Sequence, residues 1–295
     1  MDKIILTGAT GFLGSHVFEA LIKKTDFNIV VLKRTSSNIS RIGKYINCDR
    51  VECINVDEVC IERRSFENCS AIIHLATDYG RNGQCASVLE TNLIFPVKLL
   101  EMACKNNIGL FINTDSYFNK ENMSYMYLKN YSLSKKSLNL WLKYFSNYLK
   151  IINMVVEHVY GDNDSPQKFV SSMIEKIAVK KADFIDVTAG DQKRDFIFVD
   201  DVVDAYLTVL KYGLGKNFRY KQFDVGTGKA TSIKEFLQLI KKISKSDTVI
   251  NYGALPYRDD EIMLSKADNI DLSELGWSAK YTIEDGIKET IKRNN

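Results

Sequence analysis

Thr7-Gly8-Ala9-Thr10-Gly11-Phe12-Leu13-Gly14 follows the short apolar run Ile4-Ile5-Leu6 and opens an amphipathic stretch that continues to Lys23. Its glycines are spaced G-x-x-G-x-x-G. Glycines so placed permit a tight turn. They also let backbone N–H groups approach a pyrophosphate at a helix N-terminus, where the helix dipole favours negative charge. The spacing alone would suit any flexible strand-to-helix connection. A strand before it and a helix after it make a dinucleotide-binding turn the stronger reading.

Outward from this turn, short apolar runs alternate with amphipathic segments. Strands are expected at Lys3–Thr7, Asn28–Lys33, Val51–Asn55, Ala71–Ala76, Leu110–Thr114 and Ile151–Val156. Their apolar residues are continuous rather than alternating, as in strands covered on both faces. Helices are expected at Phe12–Lys23, Val88–Lys105 and Ser132–Tyr148; in the last, Leu138, Trp141, Leu142, Phe145 and Leu149 recur at helical spacing. Such alternation predicts an α/β protein with a Rossmann-type, doubly wound parallel sheet. Beyond residue 157 the pattern is mixed. Helices are expected at Phe169–Lys180, Val202–Lys211, Ile233–Ser244 and Ile283–Lys292, with short strands at Phe184–Val187, Phe196–Val199 and Gln222–Val225. Residues 1–157 are read as the NAD(P)-binding domain, with 188–226 crossing back to it; 158–187 and 227–295 are read as a smaller C-terminal substrate lobe.

Composition bounds the function. The chain has 295 residues, 45% of them hydrophobic, enough for a large core without disulfides or metal. Its formal charge of +3 comes from dispersed residues, which argues against a nucleic-acid partner. Six cysteines form no C-x-x-C pair, so they read as reduced thiols in a cytoplasmic protein. His16, His74 and His158 show no metal-ligand spacing. No apolar run is long enough to cross a membrane, so no membrane partner is expected.

The end of the second strand reads Val31-Leu32-Lys33-Arg34-Thr35-Ser36-Ser37. A carboxylate there would hold the ribose hydroxyls of NAD. None is present, and Arg34 with the neighbouring hydroxyls suits the 2′-phosphate of NADPH. Tyr131-Ser132-Leu133-Ser134-Lys135 sets a tyrosine and a lysine one helical turn apart. The ammonium is expected to lower the phenol's pKa, fitting Tyr131 for proton transfer.

TGATGFLG and YSLSK together resemble the extended short-chain dehydrogenase/reductases that act on nucleotide sugars. The resemblance runs through essentially the whole chain, including Ile73-His74-Leu75-Ala76, Glu90-Thr91-Asn92, Lys193–Asp201 and Leu275-Gly276-Trp277. It implies that Gly8, Thr10, Gly11, Phe12, Leu13, Gly14, Arg34, Leu75 and Ala76 hold the cofactor, with Asp57 on the adenine amino group. It makes Thr114, Tyr131 and Lys135 the catalytic residues, Tyr131 and Lys135 also meeting the cofactor, and Asn92 their support. The related dehydratases carry Thr-Asp-Glu where this chain has Thr114-Asp115-Ser116, so a dehydratase is disfavoured. Thr114, Ser116, His158, Arg194 and Arg258 are the implied substrate contacts, the two arginines clamping a diphosphate.

A closer likeness lies in IIHLATDYGR (72–81), INTDSYF (112–118), VEHVYGDND (156–164) and GALPYRDDEIMLS (253–265). These segments resemble CDP-4-keto-6-deoxyhexose reductases of O-antigen sugar biosynthesis. The chain departs from many family members at Val155-Val156, where they have an arginine, and at His158, where epimerases often have asparagine. The expected activity is NADPH-dependent reduction of a nucleotide-linked 4-keto sugar by a possible homodimer paired through the Ser132–Tyr148 helix. The alternatives are a nucleotide-sugar 4-epimerase and, in another class, a non-catalytic NAD(P)-sensing protein.

Overall fold

The continuous apolar runs form strands whose side chains are shielded on both faces. In a computed structural model, which describes residues 2–56, 66–81, 83–120 and 128–294, Ile4, Ile5 and Leu6 of β1 (Lys3–Thr7) are fully buried. So are Ile72 and Ile73 of β4 (Cys69–His74) and Phe111 and Ile112 of β5 (Leu110–Ser116). With β2 (Asn28–Lys33), β3 (Val51–Asn55), β6 (Lys150–Val156) and β11 (Tyr220–Val225) they make a seven-stranded sheet in the order β11-β6-β5-β4-β1-β2-β3. The pairs β1–β2, β1–β4, β2–β3 and β4–β5 are parallel. Strand order reverses between β1 and β4, the place where open α/β sheets bind ligands beyond their carboxyl ends.

Alternation along β5 decides which residues meet which helix. Phe111 belongs to the core built by Ile5, Val30 and Ile72 with Leu99 and Leu100 of α3 (Phe95–Lys105) and Leu138, Leu142 and Phe145 of α4 (Lys129–Phe145). Leu110 faces the other way, against Gly213 of α6 (Val199–Gly215), so closely that a Cβ at Gly213 would lie 2.6 Å from its Cδ2. Asn113 and Asp115 therefore share the α4 side with Phe111, and Thr114 the α6 side with Leu110.

Three expected elements differ. The helix expected over Phe169–Lys180 is α5 (Phe169–Ile174) followed by a π-helical turn at Glu175–Val179. The strand expected to reach Ala76 ends at His74, because the chain bends there to pass against Gly8. The helix expected over Val88–Lys105 is α2 (Cys85–Leu89), a π-helical turn at Glu90–Ile94 and α3. Pro96 in the first turn of α3 has no N–H to return to the preceding turn, and the wider turn absorbs that loss.

The chain divides into two compact units: the described residues of 1–121, 126–155 and 203–223, and those of 156–202 and 224–295. The stretch 188–226 is thus shared between them. The second unit holds the strand pairs β7 (His158–Tyr160) with β10 (Phe196–Phe198), β9 (Lys193–Arg194) with β12 (Thr231–Ser232), and β8 (Phe184–Val187) with β13 (Val249–Tyr252). Phe196 stacks on Phe236 of α7 (Ile233–Ser244) at 4.2 Å, and a Ser232–Glu235 capping box starts that helix.

At the centre of this unit the Asp195 carboxylate is 0% exposed. It accepts hydrogen bonds from Thr227 N (2.9 Å), Thr227 Oγ1 (2.6 Å), Gly228 N (2.8 Å) and Ala267 N (3.1 Å). A buried donor left without a partner costs about 1–3 kcal/mol. Asp195→Ala is therefore expected to lower unfolding stability by at least about 3 kcal/mol, read by urea titration of the buried Trp277 fluorescence. A loss below about 1 kcal/mol would show that water replaces the carboxylate at no great cost.

Candidate active site

The turn after β1 is built so that two backbones touch. Gly8 has φ +73°, and a Cβ there would lie 2.6 Å from Leu75 C and Ala76 N. A Cβ on Gly14 would overlap the Gly8 carbonyl oxygen. Only glycine fits either position, and α1 (Phe12–Lys24) starts directly from Gly11 with no side-chain cap on its first N–H groups. These features fit a dinucleotide pyrophosphate. Thr7 Oγ1 lies 2.8 Å from His74 Nδ1 and accepts from Ala76 N (3.2 Å), which fastens β4's exit to the turn. Burial, helped by the Lys135 charge, pushes His74 down to about 3, so it is neutral throughout the working range.

Arg34 is exposed at the end of β2, in a loop closed by Arg34 N donating to Ser37 Oγ (3.2 Å). Arg41 Nη1 donates to Thr10 O (3.3 Å), putting a guanidinium against the glycine turn. Sequence reading passed over Arg41, because nothing in a solvated loop reveals which arginine folds back. Asp57 lies outside the described residues.

α4 carries Tyr131 and Lys135, which are 4% and 3% exposed. Lys135 Nζ donates to Thr114 O (2.7 Å) and stands 5.9 Å from the Tyr131 ring centre. Tyr79 stacks on Tyr131 at 5.1 Å, and Phe118 meets it edge-on at 6.2 Å. Burial drives the Tyr131 phenol well above its ordinary pKa; Tyr79 and Asp115 push it further, while a hydrogen bond from Ser116 opposes them. The expected lowering by the ammonium is thus outweighed, and Tyr131 holds its proton. Burial pulls Lys135 down to about 8, against the opposing Asp115 charge.

Asp115 is itself buried. It accepts from Ser116 N (2.8 Å), Asn119 Nδ2 (2.8 Å) and Asn153 Nδ2 (2.9 Å), and Asn113 Nδ2 donates to Asn153 Oδ1 (2.7 Å). Thr114 Oγ1 donates to His74 O (2.8 Å) and lies 2.7 Å from the Tyr206 hydroxyl. Asn92, in the π-helical turn, donates to Ser134 Oγ (3.0 Å), whose hydroxyl donates to Tyr131 O (2.7 Å). Tyr79, Arg81, Leu128, Lys129 and Asn130 line a cavity of about 440 Å³ beside Tyr131. Thr114, Ser116, Tyr131 and Lys135 are therefore brought together within the first unit. Tyr79, Tyr206 and the amides around Asp115 were not foreseen; only their burial, not their partners, could be guessed from spacing.

His158, Arg194 and Arg258 lie in the second unit. Arg194 Nη2 pairs with Glu261 Oε1 at 2.5 Å, and Nη1 donates to Lys193 O (3.0 Å). Glu261 N donates to Arg258 O (3.1 Å), so one short turn carries both Arg194's partner and the exposed Arg258. Burial lowers His158; its Nδ1 is 3.7 Å from Glu157 Oε2, which also accepts from Ser265 Oγ (2.7 Å).

Residues 4–226 match the NAD dependent epimerase/dehydratase family. The chain belongs to this family. Among its relatives, a CDP-abequose synthase of Salmonella muenchen is 40% identical over 98% of this chain and 97% of its own. One of Salmonella typhimurium is 36% identical, covering 99% and 98%. The solved UDP-glucose 4-epimerase of Thermotoga maritima, determined with UDP-glucose, superposes with a TM-score of 0.84 at 25% identity, covering 99% and 98%. The chain is thus an enzyme of the nucleotide-sugar short-chain dehydrogenase/reductases. Among the described residues no helix is long and apolar enough to cross a membrane.

Lys135 makes a pH-dependent contribution to stability. Its folded pKa, about 8, lies below the value of 10.5 that the unfolded chain restores. Between these values the unfolded state binds the extra proton, so the cost of burying the ammonium is full below pH 8 and fades as pH rises towards 10.5. Relative to Lys135→Met, the wild-type chain is expected to gain up to about 3 kcal/mol across that window. Urea unfolding at a series of pH values checks this; a flat difference would mean that Lys135 is hydrated.

Proposed function

We propose that this enzyme reduces the C4 ketone of a nucleotide-linked 4-keto-6-deoxy or 3,6-dideoxy hexose, CDP-linked, at the expense of NADPH. The product would serve O-antigen or related polysaccharide biosynthesis in the cytoplasm. The observation that carries this reading is the 40% and 36% identity, over nearly the whole chain, to two proteins named CDP-abequose synthase. The site is consistent with it. Tyr131 keeps its proton, as a reductase needs in order to protonate a developing alkoxide. Ser116 stands where the related dehydratases carry the glutamate that removes water from the sugar, so no carboxylate is present at that position.

The residues divide the work as follows. Gly8, Thr10, Gly11, Phe12, Leu13 and Gly14, with Leu75 and Ala76, would hold the dinucleotide, and Arg34 with Arg41 its 2′-phosphate. When bound, the reduced nicotinamide supplies the hydride. Tyr131 protonates the ketone oxygen, and Lys135 fixes the helix that carries it to the end of β5. Arg194 and Arg258 take the diphosphate, with Glu261 giving up or sharing the Arg194 fork. His158, neutral in this structure, would contact the sugar. Leu133, Leu140, Trp141, Tyr144 and Tyr148 form an exposed apolar stripe on and just beyond α4, which suits the homodimer.

A 4-epimerase would use the same groups and return the hydride, and the likeness to the Thermotoga maritima enzyme keeps that reading in play. The two are separated by label. Offered a CDP-4-keto-6-deoxyhexose or its 3,6-dideoxy counterpart and 4-deuterated NADPH, the enzyme is expected to place deuterium at C4 of the released sugar. Redox-neutral conversion of a C4 alcohol, with every keto-sugar untouched, would replace the reductase by the epimerase. Tyr131→Phe is expected to lower kcat by about 10²–10⁴-fold while cofactor affinity stays. Near-normal turnover in that variant would remove Tyr131 as the acid. Fluorescence titration should show tighter NADPH than NADH, and Arg34→Asp should reverse the order. Equal affinities in the wild type would refute the 2′-phosphate site.

A further inference from the structure

Glu157 and His158 stand where β6 gives way to β7. Neighbouring residues of an extended strand point to opposite faces. These two do not. Val159 N donates to Glu157 O (2.8 Å), which closes a three-residue turn at His158. The turn brings Glu157 Oε2 to 3.7 Å from His158 Nδ1. The Glu157 side chain is fully buried, and Ser265 Oγ donates to the same oxygen (2.7 Å). His158 Nδ1 is buried on that side, while 20% of the histidine side chain stays open to solvent.

His158 also borders the segment that carries Arg194. It pairs with Phe196 in the β7–β10 ladder, its N donates to Asp195 O (3.1 Å), and its ring meets the Phe196 ring edge-on at 5.9 Å. All of these residues belong to the second unit. Burial disfavours the charged imidazole, Glu157 opposes burial, Arg194 adds to it, and Asp195 sides with Glu157. Asp195 is engaged by the N–H groups of 227, 228 and 267, and Arg194 by Glu261. A carboxylate kept from water favours a positive neighbour more strongly than one in solvent. The ring is therefore neutral in the free enzyme, yet one side of it is already prepared for a charge.

We infer that Glu157 is a positioning residue for ligand binding: it holds His158 so that the imidazole takes up a proton when a nucleotide diphosphate binds, adding a cation that the free enzyme does not carry. The inference rests on the proposed diphosphate ligand. The carboxylate favours the tautomer with its hydrogen on Nδ1, so the second proton enters at Nε2. That proton comes from the buffer, and no bond of the ligand changes. The phosphate charges favour the imidazolium, so the complex binds a proton over a pH range where the free enzyme does not. By linkage, affinity is highest below that range and falls as pH rises through it.

CDP-glucose, UDP-glucose and dTDP-glucose, titrated calorimetrically into the full chain with NADPH present, test this. They offer no ketone to reduce, and their diphosphate diesters hold no proton near neutrality. Compared between buffers of different ionisation enthalpy, binding is expected to take up about half a proton or more near neutral pH, and Kd to rise by up to about tenfold per pH unit between about pH 6 and 8. His158→Asn should still bind, with the uptake near zero and Kd flat across that range. Glu157→Gln, which can still accept from Ser265, should bind and lose at least about half of the uptake. Binding by the wild type with no buffer dependence overturns the inference and leaves the diphosphate reading standing. An uptake unchanged in His158→Asn, or unchanged in Glu157→Gln, also overturns it. If none of the three nucleotide sugars binds the wild type, the diphosphate reading itself fails and the inference falls with it.

Discussion

A lysine ammonium, withdrawn from water, rests on the carbonyl oxygen of Thr114. Burying such a charge is unfavourable unless counter-charge and hydrogen bonds surround it. The counter-charge is Asp115, one peptide further along β5, and Asp115 is itself held by three N–H donors from Ser116, Asn119 and Asn153. The order runs inward from the amides to the carboxylate, to the ammonium and to the phenol. α4 cannot slide along the sheet without breaking the first of these contacts. Tyr131 is therefore set at a fixed height above the end of β5, and Asn92 fixes the same helix from its other side through Ser134.

The same device recurs in the second unit with the polarity turned round. There the buried group at the centre is a carboxylate, and backbone N–H groups converge on it. Asp195 gathers residues 227, 228 and 267, and Asp201 accepts from Lys280 N and Tyr281 N (2.9 and 3.1 Å) while its carbonyl receives Trp277 Nε1 (3.1 Å). Loops that share no strand are thereby held in register by acids in the run Arg194-Asp195-Phe196 through Asp201. That explains why buried acidic side chains can stand on either side of the apolar run 196–199.

Much of the fold was readable because the decisive signals are local. Gly8 and Gly14 mark a turn that only glycine can make, and Tyr131 and Lys135 lie one helical turn apart, so neither needs knowledge of a distant partner. Most strand positions followed from continuous apolar runs. What was not readable depends on contacts across long separations. Thr114 meets Tyr206 across 92 residues, and Arg194 meets Glu261 across 67. The π-helical turn at Asn92 was hidden because Pro96 fits the start of a helix as readily as a break within one. The expected direction of the Tyr131 shift failed for a related reason: a four-residue spacing reveals the lysine but not the depth at which both groups are buried.

Arg194 already has an anionic partner in Glu261. An incoming phosphate does not find a bare cation; it must compete with a carboxylate tethered at short range. A singly charged anion offers the guanidinium little that Glu261 does not, and it arrives with the entropic penalty of free diffusion. A diphosphate carries more charge and, in the proposed binding mode, would engage Arg258 on the same turn as Glu261, so it could outcompete the tethered group. In the proposed diphosphate site the pair would work as a threshold, discounting chloride, acetate and monoesters and leaving selectivity among diphosphates to the base and the sugar.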